Sequence, residues 1–145
     1  MRSILENVEP DLAKQLRTLS SIQSTQLLTD CCNFVASQVA IDAELAELIT
    51  RCQSGDLTND ARNRVLVSYA EMADERYWEL EHAGFDEEKW RPWFQRARLA
   101  TAWSKTSGTR GWEEIADGLY ELTVIFNERS VIVEFAKRRV AEVQA

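Results

Sequence analysis

Two pairs of carboxylates, Glu44-x-x-Glu47 and Glu71-x-x-Asp74, are spaced to do chemistry. A separation of three puts each pair on one face of a helix. Twenty-three residues lie between the pairs. Two antiparallel helices turning at Gly55-Asp56 would bring the pairs roughly level. Four converging carboxylates suit Mg²⁺, a hard cation that takes oxygen ligands. A solvated acidic face produces the same spacing, because the chain carries 24 acidic residues, and that reading takes priority. The single histidine, His82, rules out a Ser-His-Asp or Cys-His arrangement elsewhere in the chain and any histidine-rich metal site. In the last turn of a helix it serves the helix dipole instead. No glycine-rich phosphate loop is present.

The carboxylate spacing resembles the ExxE…ExxD signature of the all-α nucleotide pyrophosphohydrolases, the MazG-like family. That resemblance implies Mg²⁺ held by Glu44, Glu47, Glu71 and Asp74, and attack of water on a nucleoside triphosphate. The segment Glu113-Glu114-Ile115-Ala116-Asp117-Gly118-Leu119-Tyr120 looks like the ExxD helix of the same family. No ExxE stands at the matching distance before it.

A different chemistry is written between Lys89 and Trp112. This stretch holds six basic residues and no acid: Lys89, Arg91, Arg96, Arg98, Lys105 and Arg110. Arg91, Arg98 and Lys105 are seven apart and share a helical stripe. Trp90, Trp93, Phe94, Trp103 and Trp112 are interleaved. Arginine and tryptophan anchor protein interfaces, and they also suit phosphates or single-stranded nucleic acid. The remaining alternative is internal: Trp93, Ala97 and Ala100 make a core face, and the arginines pair with acids of the same chain. The net charge of −7 weighs against nucleic acid or an anionic membrane as partner.

The elements that must position these groups are helices. The chain has 145 residues, 5 Gly and 2 Pro, which suits one domain with few turns and disfavours an all-β fold. A first helix begins near Pro10, a residue suited to a first turn. A second runs from about Ser24 to Gln53, its stripe interrupted at Asp42, with Gly55 as a left-handed C-cap. A third starts in the capping residues Thr58, Asn59 and Asp60 and ends at Gly84. Its face is Leu66, Tyr69, Ala73, Tyr77 and Leu80. A fourth has acids at Asp86, Glu87 and Glu88 for the positive end of its dipole, with its regular part starting near Pro92. Ser107-Gly108-Thr109 is a loop, and Thr109 is a cap for the fifth helix.

The last third carries a heptad register. Trp112, Leu119, Phe126, Val133 and Val140 are interleaved with Ile115, Leu122, Arg129, Ala136 and Val143. Nine of these ten are apolar, which predicts a long C-terminal helix over about 110–143. The β-branched runs 122–126 and 131–133 compete with it. They predict a break near Asn127 or, alternatively, a hairpin.

These signals predict an all-α bundle of about five helices in one domain, 1–145. The length of the C-terminal stripe also predicts a homodimer that covers it. Cys31, Cys32 and Cys52 form no disulfide framework and read as buried small hydrophobes. With no signal pattern and no span-length apolar run, a cytoplasmic location is expected. The leading functional expectation is a small acidic, non-enzymatic protein-interaction module of inhibitor, neutraliser or adaptor type. It would use Trp90, Arg91, Trp93, Arg98 and Lys105 and need no cofactor. The alternative is the Mg²⁺-dependent pyrophosphohydrolase, and the third reading is a structural subunit of a larger helical assembly.

Overall fold

The computed structural model describes residues 3–108 and 111–144. Among them are eight helices and no strand. They are α1 (Ile4–Val8), α2 (Pro10–Arg17), α3 (Ser21–Gln38), α4 (Ala43–Ser54), α5 (Asn59–His82), α6 (Glu87–Ser104), α7 (Trp112–Thr123) and α8 (Ser130–Gln144). The all-α class is as expected, and the count is larger than five for local reasons that can be named.

Pro10 does open a helix, but Ser3 caps a short α1 before it, its hydroxyl accepting the Glu6 N–H. Ser20 and Gln23 close a reciprocal capping box that starts α3, satisfying two donors that a helix end leaves orphaned. The expected second helix is two helices. Val39 leaves the helical region, and Asp42 caps α4 by accepting the Leu45 N–H at 2.8 Å. The other Asp42 oxygen accepts the Tyr69 hydroxyl at 2.9 Å and ties the cap to α5. Asp42 interrupts the apolar stripe because it is a helix start. Regular helix in α6 begins at Glu87, ahead of Pro92, so the proline sits inside the helix.

The long C-terminal helix is broken, in keeping with its β-branched run, and no hairpin forms. α7 ends at Thr123, whose hydroxyl donates to the Tyr120 carbonyl at 2.6 Å. Ile125 is fully buried in the connection, and the Gln95 amide donates to its carbonyl at 3.2 Å. Burial of Ile125 holds the chain where weak helix formers already favour a break. α8 then folds back on the same core, so Leu119, Leu122, Val133, Ala136 and Val140 are all covered within the chain. The unbroken stripe that predicts a homodimer is therefore divided between two internal faces. The Thr109 cap and Arg110 lie outside the described residues.

α3 packs against α6, α7 and α8. Leu27, Leu28, Cys31, Cys32 and Val35 are fully buried along it. These positions recur every three to four residues and form one apolar face, opposite the exposed Ile22, Gln26, Asn33 and Ser37. Gly118 of α7 lets α3 approach closely, since a Cβ there would stand 2.7 Å from Leu28 Cδ2. Phe34 stacks on Phe135 at 4.3 Å, and Arg139 reaches Asp30 at 2.6 Å, fastening α8 antiparallel to α3. Burial pushes the Cys31 thiol up to about 12 and the Cys32 thiol well above its usual range, so both are unreactive packing groups. No helix among the described residues is long and apolar enough to cross a membrane.

Candidate functional site: the α5–α6 hairpin

α5 and α6 form an antiparallel hairpin that outruns the rest of the bundle. Thr58 starts α5 by accepting the Ala61 N–H at 3.2 Å. Gly84 ends it at φ 83°, and the Phe85 N–H returns to the Leu80 carbonyl at 3.1 Å. This is the left-handed C-cap that satisfies late helix carbonyls and favours glycine. Asp86 then precedes α6 in an extended conformation.

The α5 stripe begins as core. Leu66, Tyr69, Ala70 and Ala73 are buried. Beyond Ala73 the core stops: from Asp74 to Arg96 no residue is buried, and every residue from Glu81 to Lys89 is exposed. Yet this stretch holds Tyr77, Trp78, Phe85, Trp90, Trp93 and Phe94, six of the 13 aromatic residues of the chain. Some of them hold the hairpin together. Tyr77 lies 5.4 Å from Trp90 and meets Phe94 edge-on at 5.2 Å. Trp93 has Arg96 at 4.7 Å and Arg76 at 5.5 Å from its ring centre, an arrangement favoured by the ring quadrupole. Trp78 and Phe85 play no such part. Trp78 is 58% exposed with only His82 stacked on it at 3.9 Å, and Phe85 is 52% exposed.

The five interface residues expected from the sequence divide between two roles. Trp90 and Trp93 are half-buried in the hairpin, and Arg91 is held by Glu87 one turn earlier on α6. Arg98 faces inward. Its guanidinium meets Asp74 of α5 at 2.5 Å and Glu121 of α7 at 3.1 Å. Lys105 is the C-cap of α6, with its Cβ beside Gly118. The Arg91–Arg98–Lys105 stripe therefore turns from solvent at one end to α7 at the other. Sequence reasoning misses Trp78 and Phe85, and the available signal is position. Trp78 stands one residue off the α5 core stripe, and Phe85 follows the terminating glycine.

The carboxylate pairs end up in different surroundings. α4 and α5 are antiparallel about Gly55, and Glu44 does come level with Ser68, Tyr69 and Met72 across a cleft of about 530 Å³. The floor of that cleft is apolar, from Leu48, Val65 and Met72, and Arg64 lines it with Glu44. Glu47 and Glu71 are exposed, and Asp74 is bonded to Arg98. Among the described residues no three His, Cys, Asp or Glu side chains are grouped to hold a metal ion. Glu44, Glu47, Glu71 and Asp74 are thus not gathered at one point among the described residues: Asp74 serves an internal ion pair with Arg98, and Glu47 and Glu71 are exposed.

The Arg98 network has its own pH signature. Burial raises the Glu121 carboxyl above its usual range, and Arg98 only partly offsets this because its guanidinium is shared with Asp74. A carboxyl whose folded pKa is raised adds stability that is fully present below its unfolded pKa and is lost as pH rises through the folded value. Urea unfolding of wild type and Glu121→Gln at pH 7 and pH 4.5 reads this directly. Wild type should gain on the variant as pH falls. A difference that is constant with pH, or that moves the other way, would contradict burial as the dominant influence.

His82 closes α5 with Nδ1 2.9 Å from the Trp78 carbonyl oxygen, a structural position that matches the helix-end reading. No family model matches this chain, and neither a curated protein nor a solved structure does.

Proposed function

We propose that this protein is a non-enzymatic protein-interaction module of inhibitor, neutraliser or adaptor type, and that its contact surface is the outer half of the α5–α6 hairpin. One observation carries the reading. A segment rich in aromatic residues runs from Asp74 to Arg96 with no side chain fully buried, and only Trp93 of its aromatic rings packs against the core. Tryptophan and phenylalanine left in water forgo burial worth about 1.5–3 kcal/mol each, and aromatic residues are the usual anchors of protein interfaces. Trp90 and Arg91, expected at the interface from the sequence, belong to this surface. Arg98 supports it from behind.

The test compares the wild-type protein with a Trp78→Ala/Phe85→Ala variant as bait in a lysate of the native host. Both positions are exposed, so the variant should keep its unfolding midpoint. A protein retained by wild type, released by the variant, and then bound by wild type alone when both components are pure is the expected result. Identical retention by both baits would remove the hairpin as the contact surface.

A further inference from the structure

Resting on that reading, we infer that the hairpin end docks a lysine- and arginine-rich segment of another protein. Its cations would lie on the rings of Trp78 and Phe85 and among the surrounding carboxylates. From Trp78 to Lys89 the chain has five acids, Glu79, Glu81, Asp86, Glu87 and Glu88, against one lysine, Lys89, and the single histidine, His82. Glu81 accepts the Tyr77 hydroxyl and Glu87 holds Arg91. Glu79, Asp86 and Glu88 have no ion-pair partner among the described residues. Asp86 precedes α6 without a side-chain capping bond, so its carboxylate is not used by the helix it starts.

The two kinds of group complement one cation chemistry. A guanidinium or ammonium is attracted to the face of an aromatic ring and to a carboxylate at the same time. The chain already uses this pairing within itself, where Arg17 lies 4.2 Å from the Trp112 ring centre and pairs with Glu6, and Arg98 lies 5.6 Å from the Phe94 ring centre and pairs with Asp74. Trp78 and Phe85 are the large exposed rings of the described residues; no arginine among those residues covers them, and only Trp78 has a ring stacked on it, that of His82. A phosphate-bearing partner would meet net negative charge here and is disfavoured.

The experiment is a fluorescence-anisotropy titration of the full chain with a labelled amphipathic peptide of lysine, arginine and leucine. A matched peptide with glutamate in place of the basic residues serves as reference. The basic peptide should bind, more weakly as salt is raised, and the glutamate peptide should not. Trp78→Ala/Phe85→Ala and Glu79→Lys/Glu88→Lys should each weaken binding about tenfold or more. Glu113→Lys/Glu134→Lys, exposed acids on α7 and α8, should leave it unchanged. Loss of affinity in that last variant equal to the loss at the hairpin would show attraction to net charge alone and overturn the inference. No binding of the basic peptide, while a lysate partner still depends on Trp78 and Phe85, would also overturn it and leave the interaction reading intact. If sedimentation shows a concentration-dependent dimer abolished by Trp78→Ala/Phe85→Ala and the peptide does not bind, a second copy of the chain occupies the surface and the inference falls.

Discussion

Replacing Trp103 by alanine is expected to cost about 3–5 kcal/mol of stability. Trp103 is the largest fully buried side chain of the described residues, 1% exposed, on the face of α6 that enters the core. Truncation to alanine removes its contacts and leaves a cavity that neighbours close only in part. For a domain of this size that loss lowers the melting temperature by on the order of 10 °C. The contrast with Trp103→Phe isolates the indole nitrogen. Its N–H has no hydrogen-bond partner among the described residues, and a buried orphan donor costs about 1–3 kcal/mol. Phenylalanine removes the orphan together with some volume, so its loss should be well below that of alanine. Urea unfolding of the three proteins checks both points. A loss under about 1 kcal/mol for alanine would mean that the site collapses freely. A phenylalanine variant as damaged as the alanine one would mean that the N–H is satisfied.

Removing the Arg98 side chain is expected to cost about 2–3 kcal/mol. The figure sits below that for a fully buried ion pair because Asp74 is 43% exposed and regains water when its partner leaves. Glu121, with a side chain only 22% exposed, regains much less. Arg98→Ala therefore leaves one carboxylate poorly solvated between α6 and α7. Arg98→Lys should also be destabilising, because one ammonium cannot make the forked contacts that a guanidinium makes with two carboxylates. Adding Glu121→Gln to Arg98→Ala should recover part of the loss, since the stranded charge is gone. A double-mutant cycle with no coupling between positions 98 and 121 would contradict the network. Because Arg98 joins α5, α6 and α7, its loss should also speed amide exchange in the hairpin beyond Ala73 more than in α3, where protection comes from the core.

These effects separate what supports the hairpin from what the hairpin presents. Trp103 and Arg98 lie at its root, and their substitution is read in stability. Trp78, Phe85 and the acids around them lie at its end, where substitution leaves the core untouched and is read in binding. Trp90 stands between the two, contributing to the Tyr77 contact that pins the helices together.

Much of the secondary structure is legible from local terms. Gly55 and Gly84 end helices in the left-handed conformation that an L side chain resists. Thr58 and Asp42 are capping side chains at the starts of α5 and α4, although by sequence Asp42 reads as an interruption within one helix. The break near Asn127 follows from a β-branched run that propagates a helix poorly. Helical class and the separators rest on interactions within a few residues, and the sequence by itself determines them; the cysteines read as small hydrophobes in the sequence, but the packed bundle is what buries them.

Tertiary structure decided the rest. A helical stripe says which side of a helix is apolar, but not which neighbour covers it or how far along that cover extends. The α5 stripe continues through Tyr77 and Leu80, yet the core ends at Ala73 because the elements packed on the hairpin are shorter than the hairpin itself. Spacing placed Glu71 and Asp74 on one helix face, but only the position of α6 could assign Asp74 to Arg98. The heptad that predicts a second molecule is covered once Ile125 turns α8 back onto α3. Burial, ion-pair choice and exposed surface depend on contacts between residues far apart in the chain, and only the packed bundle fixes those distances.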